Sequence, residues 1–380
     1  MIYPPQYPDY VEPGKPHWRR WWLALLLLWG GQSALLMALW PEHRPRVELW
    51  LWSAVLPLLW ALALALRYLV WQIGLGNREA YRGVIDTALQ RWWRARSRGL
   101  PVEQVLLFGP EGEQQSYYTR LMTGTAPLPS PQVPSPGAPT VLRCPLSTNL
   151  TSQRAPLIAQ HLAHMLLAQS GMRARWPHLR GLAWHGTAES YQAFASVLRA
   201  AGVSLPEQAL PLVDLPTLDR LIDGFPRLCP EEENWLLCAG VASVEQAAAE
   251  RLAGEAGFAW LVSHAPVSQL KRGEYLQADQ GERAAELCAQ MQRYANLDAA
   301  PAACLAMDAE SLGAFGEGGW RANEHLLAAY WGVLDNVAPF IGMSVALLHS
   351  AGTGQACGWL SRDGENRLAM GVAVPHGKGK

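Results

Sequence analysis

The pattern of apolar positions divides the chain into a short N-terminal part and a longer mixed part. Residues 21–40 read WWLALLLLWGGQSALLMALW, in which only Gln32 and Ser33 are polar. Residues 49–71 read LWLWSAVLPLLWALALALRYLVW, with no charge before Arg67. A helix of about 20 apolar residues crosses a hydrocarbon core of about 30 Å. The two runs and the short segment between them therefore predict a transmembrane helical hairpin.

Two other interpretations of these runs are less favoured. The apolar core of a cleavable signal peptide has about 7–15 residues, which is shorter than the first run, and here a second run follows. A buried helical pair in a soluble protein seldom stays apolar on all faces over this length.

Arginine and tryptophan residues mark the ends of both runs. An indole ring suits the membrane interface because its body is apolar and its N–H stays wet. An arginine near the end of a span extends its charged group toward the headgroups. We predict membrane-interface anchors at Arg19, Arg20, Trp21, Trp22, Trp40, Trp50, Arg67 and Trp71.

The distribution of basic residues predicts the orientation. Lys15, Arg19 and Arg20 precede the first run, and Arg44 and Arg46 lie in the turn. A larger group of arginines follows the second run: Arg78, Arg82, Arg91, Arg94, Arg96 and Arg98. Positive charge stays on the cytoplasmic side of a membrane. We expect a protein of the bacterial inner membrane with two spans, and with both termini and the main domain in the cytoplasm.

The composition of successive segments predicts five regions. They are an irregular arm at 1–18, two transmembrane helices at 19–73, a basic amphipathic connector helix at 74–100, the start of the soluble region with a proline-rich loop at 101–140, and an α/β domain at 141–380. The connector either lies on anionic headgroups or serves as a simple link.

Alternating short apolar runs and helical periodicity predict the α/β class after residue 100. Strands are predicted at 104–108, 140–143, 182–185, 233–245, 254–265 and 302–312, and helices at 111–122, 155–169, 189–201, 282–295 and 324–334. Segment 209–225 is predicted to form a strand followed by a helix. Segment 313–319 is predicted to form a glycine-rich loop, and the end of the chain a glycine-rich turn with two strands.

Charge and cysteine usage give little sign of cofactor or nucleic-acid chemistry. The net charge is −1, so no overall positive field attracts nucleic acid. The six cysteines form no CxxC pair and are expected to be buried free thiols. His161 and His164 have metal-ligand spacing but no evident third ligand, so we expect helix-surface histidines. We predict no cofactor and no metal.

The order of motifs in the C-terminal part resembles the thiolase-like fold, and within it the β-ketoacyl synthases. ENWLLCAGVASVE at 233–245 is similar to a strand with a glycine turn, GEAGFAWLVSHA at 254–265 to the GEGA-type strand, and SAGTGQACGWL at 350–360 to the final glycine turn. The resemblance covers about 182–375 and implies a layered α/β fold behind the membrane hairpin.

The residues that the resemblance would make catalytic do not match. A condensing enzyme holds a cysteine at a helix start, where the helix dipole lowers the thiol pKa. Here that place is taken by residues 214–217, DLPT, and the two histidine loops correspond to Asp308-Ala309 and to residues 336–339, NVAP. We therefore expect a degenerate, non-catalytic member.

Other polar residues in this part have two interpretations each. His185, His264, His325 and His349 are expected to be hydrogen-bonded structural residues rather than catalytic ones. Asp308 and Glu310 form either an acidic pair or a solvated turn.

Three functions are consistent with this architecture. The first is a membrane accessory or binding protein whose partners are membrane lipid and another protein. Its overall organisation is similar to that of proteins found at type VI secretion loci, which implies immunity against, or handling of, a secreted effector. The second is a membrane-bound acyltransferase or 3-oxoacyl synthase with a rebuilt site. The third is a structural subunit that forms a homodimer, by analogy with thiolase-like domains.

Overall fold

The computed structural model describes residues 2–11, 13–41, 45–134, 139–147, 153–245, 247, 251–320 and 325–377. The chain forms two compact units, Pro4–Trp93 and Arg94–Lys380, the second of which also includes Met1–Tyr3. Some sequence predictions fall outside the described residues, namely those on Arg44, Pro136 and the helix start at Glu324.

The first unit contains two long apolar helices. α1 is Trp18–Leu39, and α2 is Arg46–Arg96, whose last turn extends into the second unit. Both are long and apolar enough to cross a membrane. No residue of α1 is buried, and α2, all of which is described, buries only Ser53 and Gly74. The two predicted apolar helices are confirmed, and most of their apolar side chains are exposed or only half-buried.

The second predicted span and the predicted connector form one continuous helix, which corrects the boundary at 73–74. α2 runs for 51 residues through Pro57, and the first strand begins at Gly99, inside the predicted connector. Gly74 does not end the helix. A Cβ atom at Gly74 would lie 2.2 Å from Cγ of Pro13, so the glycine admits a close neighbour instead.

The N-terminal arm packs along the second half of α2. The Arg67 guanidinium donates to the Gly14 carbonyl oxygen at 2.5 Å, and the Tyr81 hydroxyl donates to the Pro8 carbonyl oxygen at 2.9 Å. The Arg67 side chain was predicted as an anchor to the headgroups. In the structure one of its N–H groups binds the arm.

The second unit is built on one mixed sheet. The strands are β1 Gly99–Phe108, β2 Val141–Leu142, β3 Leu179–His185, β4 Leu210–Pro211, β5 Trp235–Ser243, β6 Ala253–Val262, β7 Ser268–Lys271, β8 Glu274–Leu276, β9 Ala303–Ala306, β10 Cys357–Arg362 and β11 Leu368–Pro375. The order is β4-β3-β5-β6-β1-β7-β11-β10-β9, with β2 beside β6 and β8 beside β11. The pairs β3–β4, β3–β5, β9–β10 and β2–β6 are parallel, and the other named pairs are antiparallel.

Helices cover this sheet. They are α3 Gln115–Leu121, α4 Arg154–Ala168, α5 Met172–Arg175, α6 Ala188–Ala200, α7 Leu215–Leu228, α8 Ala284–Tyr294, α9 Leu312–Glu317, α10 Ala328–Trp331 and α11 Ala338–Thr353. Short 3₁₀ turns lie at Trp176–His178, Ala278–Gln280 and Asp335–Val337.

The layers follow from what each helix contacts. α4 and α6 pack on each other, and their apolar faces form one core with β3, β5 and β6. α11 contacts β1 and β6 as well as β7, β9, β10 and β11, so it lies between the two halves of the sheet. It shares a second core with α7. α8 packs on β11 and β8. The result is the layered α/β arrangement that the sequence predicted.

Strand β1 joins the two halves of the sheet. Its residues Val102–Phe108 pair with β6, and its residues Gly99–Val102 pair with β7. The α/β unit therefore begins with β1, before the predicted start at 141.

Two local predictions in the C-terminal part are wrong. The predicted glycine-rich loop at 313–319 contains helix α9, and the described part of the predicted helix at 324–334 is helical only over Ala328–Trp331. Gly332 ends that helix with φ +65°, a conformation that glycine adopts without strain. The chain then turns and enters α11 at Ala338.

Candidate functional site

A cavity of about 500 Å³ lies beside the carboxyl ends of the parallel strands β9 and β10. Its walls come from the segments that follow these strands and from the turn before α11, including Met307, Leu334 and Ala338. A crevice at the carboxyl ends of parallel strands is a common place for ligands in α/β folds. The cavity contains Asp308, Ala309 and Ala338, residues at which the sequence comparison had sought the two family histidines.

Three cavity residues have left-handed backbone conformations. Gly332 has φ +65°, Asp335 φ +46° and Asn366 φ +61°. Such a conformation costs energy for a residue other than glycine, and residues of this kind cluster at functional sites. The cavity wall is thus held in a specific shape by the surrounding structure.

The acidic groups of the cavity are bound to separate partners. Asp308 Oδ1 accepts from the Ser311 amide at 2.8 Å and from the Ser311 hydroxyl at 2.7 Å. Glu310 forms an ion pair with Arg251. The prediction left open an acidic pair or a turn, and the hydrogen bonds to Ser311 show a turn.

A second group of polar residues lies at the turn between the antiparallel strands β10 and β11. Asp363 is buried, lines the cavity and accepts from Arg367 Nε at 2.8 Å. The Arg367 guanidinium lies over the Tyr275 ring, 4.3 Å from its centroid. Burial raises the pKa of Tyr275 to about 12, against a smaller lowering effect of the Leu215 backbone. This phenol is therefore neutral at physiological pH.

The start of α7 is the place at which the resemblance expects a nucleophile. Asp214 caps this helix, and its Oδ1 accepts from the Thr217 amide at 2.9 Å. The Thr217 hydroxyl oxygen in turn accepts from the Asp214 amide at 2.9 Å, which completes a capping box. The Thr217 hydroxyl also donates to the Asp214 carbonyl oxygen at 2.6 Å, so it is engaged in the cap, and residues 214–217 contain no thiol.

All six cysteines are buried free thiols. Burial raises the pKa of Cys229 to about 11 and that of Cys288 to about 12, and it raises the pKa of Cys144, Cys238 and Cys357. Among the residues that the structure describes, no cysteine and no histidine lines the cavity. A thiol is reactive as the thiolate, so these environments oppose nucleophilic catalysis.

The histidines singled out from the sequence lie in different places. His185 Nδ1 is 2.7 Å from the Leu212 carbonyl oxygen, and His264 Nε2 is 2.7 Å from the Cys229 carbonyl oxygen. Burial and the neighbouring His325 lower the pKa of His349. The prediction of hydrogen-bonded histidines is confirmed for His185 and His264.

The predicted pair on α4 does not converge on one point. His161 stacks on Phe108 at 4.2 Å between ring centroids and faces Glu113 at 3.3 Å, whereas His164 is exposed. Within the described ranges, no three His, Cys, Asp or Glu side chains come together in an arrangement that could hold a metal ion.

Six of the eight predicted interface anchors lie near helix ends of the first unit, whereas Arg67 and Trp71 lie near the middle of α2. Arg19, Arg20, Trp21 and Trp22 are in the first turns of α1, Trp40 follows its last turn, Trp50 lies in the first turns of α2, and Arg67 and Trp71 lie further along it. Trp60 was not predicted, yet its ring packs near Trp21 and Trp22, and its Nε1 donates to the Trp21 carbonyl oxygen at 3.0 Å. These contacts join α1 to α2.

Sequence reasoning missed Arg251, which lines the cavity. It also missed Arg367, which binds the cavity residue Asp363, and Tyr275, which lies under the Arg367 guanidinium. Tyr275 lies on β8, a short strand in a charged stretch without an apolar pattern. Arg251 and Arg367 reach their places through loops. The one sequence signal near these residues was the predicted glycine-rich turn with two strands at the end of the chain.

No protein-family model matches the chain, and no curated protein matches its sequence. Solved structures do match. One is a structure of a type II polyketide synthase acyl-carrier protein in complex with its ketosynthase bound to the hexaketide. A chain of this structure is 13% identical to the present chain. The TM-score is 0.50, and the match covers 73% of this chain and 99% of that one. The ishigamide ketosynthase/chain length factor is also 13% identical, with a TM-score of 0.49 over 73% of this chain and 100% of that one.

A third similar structure is the ketosynthase from module 1 of the bacillaene synthase from Bacillus amyloliquefaciens FZB42. It is 11% identical, with a TM-score of 0.49, and the match covers 75% of this chain and 77% of that one. The α/β unit thus has a thiolase-like, ketosynthase-type fold, as the motif order predicted. The first of these matches covers 73% of this chain, a larger share than the segment 182–375 over which the motif order showed the resemblance.

Proposed function

We propose that this chain is a membrane-anchored, non-catalytic binding protein whose ketosynthase-like unit keeps the site cavity without its reactive groups. The observation that carries the proposal is the set of residues at the cavity and at the start of α7. The motif resemblance implies that Asp214, Asp308 and Ala309 stand where a condensing enzyme would need its cysteine and its first histidine. Asp214 caps α7, and Asp308 and Ala309 line the cavity. Decarboxylative condensation needs both a thiolate and an imidazole.

The two apolar helices support the membrane anchor. Their surfaces carry many exposed large apolar side chains, among them Leu27 at 76% and Leu58 at 69% exposure. Exposed apolar area of this extent is unfavourable in water and favourable in lipid. The excess of arginine after the second span supports a cytoplasmic α/β unit, as the positive-inside rule predicts.

The first test is for covalent chemistry. The full chain in detergent micelles is offered acyl-thioesters, and the intact mass is measured by mass spectrometry. We expect no acyl adduct, under conditions in which an active ketosynthase becomes acylated. A stable adduct on any side chain of this protein would establish the alternative, an acyl-transferring enzyme with a rebuilt site.

The second test asks whether the cavity binds a partner. Ala329→Trp adds an indole at the exposed rim of the cavity, and Ala200→Trp adds the same group on α6, in another layer. We expect a protein that co-purifies from the native host to be lost with Ala329→Trp and kept with Ala200→Trp. Equal recovery with both variants would contradict binding at the cavity.

The identity of the partner remains a prediction. Overall architecture suggests a secreted effector and a role in immunity or effector handling. If so, deletion of the gene makes the host sensitive to that effector, and full resistance of the deletion strain would remove this role.

A further inference from the structure

We propose that the first residues of the chain form a clasp with the α/β unit, which closes the helical hairpin into a loop and holds both of its ends on the same side of the membrane. The clasp comprises Ile2, Tyr3, Glu274 and Gln290. The location of both hairpin ends on one side of the membrane rests on the proposed membrane anchor. The contacts of the clasp do not depend on a membrane.

The Glu274 carboxylate is the centre of the clasp. Its side chain is 4% exposed. Oε2 accepts from the Ile2 backbone amide at 2.7 Å. Oε1 accepts from Arg96 Nη2 at 2.8 Å and from the Tyr294 hydroxyl at 2.5 Å. One carboxylate thus binds a residue that precedes α1 and a residue in the last turn of α2.

Gln290 on α8 completes the attachment of Ile2. Its Nε2 donates to the Ile2 carbonyl oxygen at 2.9 Å and to the Tyr294 hydroxyl oxygen at 2.6 Å. The backbone of Ile2 therefore has its donor and its acceptor bonded to the same buried cluster. Residues 1–3 accordingly group with the α/β unit although the following ninety residues form the other unit.

The energetics favour keeping this cluster intact. Arg96 also binds Asp219 on α7 at 2.8 Å, and Asp219 lies 3.2 Å from Arg272, whose side chain is 2% exposed. Removing one member of a buried ionic network leaves a charge unpaired in a poorly solvated place, which is strongly unfavourable. The amide of Ile2 is one of the donors that satisfy the Glu274 carboxylate.

The topological consequence is direct. Ile2 and Arg96 bind one carboxylate, so they lie in the same aqueous compartment. A chain that leaves that compartment after Ile2 must cross the membrane an even number of times before Arg96. The two apolar helices supply two crossings, whereas an anchor with one crossing and one soluble helix would separate Ile2 from Glu274.

The sidedness is tested by cysteine labelling in intact and permeabilised cells with a membrane-impermeant maleimide. The six native cysteines are buried, so the background is low. Three single variants of the full chain place a thiol before α1, between the helices and in the α/β unit: Tyr3→Cys, Pro41→Cys and Val213→Cys. We expect the Tyr3 and Val213 variants to react only after permeabilisation, and the Pro41 variant to react in intact cells.

Opposite labelling of the Tyr3 and Val213 variants would overturn the clasp. Equal labelling of all three variants would overturn the membrane hairpin, and the clasp would then be decided by cross-linking alone.

Cross-linking tests the clasp without reference to a membrane. Tyr3→Cys is combined with Glu286→Cys on α8, and the full chain in detergent is treated with a short bifunctional thiol reagent. We expect an internal cross-link here and none in the control pair Tyr3→Cys with Arg199→Cys on α6. Equal yields for the two pairs would overturn the clasp.

A third substitution, added to the pair Tyr3→Cys with Glu286→Cys, tests the hydrogen bond between the Ile2 amide and Glu274. Ile2→Pro removes the backbone N–H that Glu274 accepts, whereas Ile2→Val keeps it. We expect the cross-link yield to fall several-fold with Ile2→Pro and to stay unchanged with Ile2→Val. An unchanged yield in both would show that this bond does not hold the N-terminus.

Discussion

Single side chains in the ketosynthase-like unit show how buried polar groups stabilise the fold. Glu255 is buried and accepts from Arg154 Nε at 2.9 Å, from the Cys144 amide at 2.9 Å and from the Ser243 hydroxyl at 3.2 Å. A carboxylate with this many donors is held firmly in place. The sequence marks Glu255 only as part of a strand motif, because its partners come from distant segments that no local pattern connects.

His185 gives a pH prediction. Burial lowers the pKa of His185, although its bond to the Leu212 backbone acts the other way. The folded protein therefore holds this ring neutral, whereas an unfolded chain protonates it near its ordinary pKa of about 6.5. Because the unfolded state binds more protons, stability is fully present above about pH 6.5 and is lost as the pH falls from there.

Thermal unfolding of the full chain in detergent measures this effect. We expect the unfolding temperature to fall between pH 7 and pH 5 in the natural protein, and to fall less in His185→Gln, which keeps a hydrogen-bond donor and cannot titrate. The contribution of one such group is at most about 1.4 kcal/mol per pH unit. Identical pH profiles for the two proteins would contradict a neutral His185.

At the scale of elements, the periodicity of apolar residues predicted those helices and strands that a local sequence pattern specifies. The strands at β3 and β5 and the helices α4, α6 and α8 were all located within a few residues. α11 was not recognised as a helix because it is apolar on all sides, and an apolar run without periodicity does not distinguish helix from strand. Its role as the helix between the two sheet halves depends on contacts with six strands, which only the assembled fold supplies.

Edge strand β4 argues against one mode of self-association. Leu212 donates to the Trp184 carbonyl oxygen at 3.1 Å, so Pro211 faces away from β3, at the free edge, and has no N–H. The next outward amide, that of Val213, donates to the Thr217 hydroxyl at 2.9 Å. A second copy that paired along this edge would lack these donors, as natural edge strands often do to prevent association.

The homodimer expected by analogy can be tested at this edge. Val213 is 54% exposed. If two copies paired through β4 with Pro211 at the centre of the pairing, the two thiols of a Val213→Cys variant would lie close enough to form a disulfide. We expect no disulfide-linked dimer from Val213→Cys in membranes, and a measurable amount from Val213→Cys combined with Pro211→Val. A strong dimer in the single variant would show that the copies pair at β4 despite Pro211.

At the scale of the whole molecule, the chain combines an apolar helical pair with a fold known from soluble enzymes. Composition alone located the apolar pair, because uninterrupted hydrophobicity is a local signal. The ketosynthase-type fold was reached through motif order. The cavity, which no described cysteine or histidine lines, could be placed only after the segments around β9 and β10 were assembled.

Membrane association is tested by fractionation. We expect the chain to sediment with membranes and to resist alkaline extraction. Leu26→Arg combined with Leu62→Arg puts a charge near the middle of each apolar run, at a cost of about 2.5–3.5 kcal/mol each at the membrane centre. We expect this variant to shift toward the soluble or degraded fraction. The control Val267→Arg changes an exposed position of the α/β unit and should fractionate as the natural protein does.

The position of β1 has a consequence for the synthesis of the protein. This strand follows α2 almost directly, yet its partner strands begin at Ala253 and Ser268, far later in the chain. At about 5–20 residues per second, a ribosome needs roughly 10–30 s to make the intervening segment. During that interval, β1 lacks both of the strands with which it pairs in the folded protein. It can therefore enter the sheet only after most of the α/β unit has been synthesised.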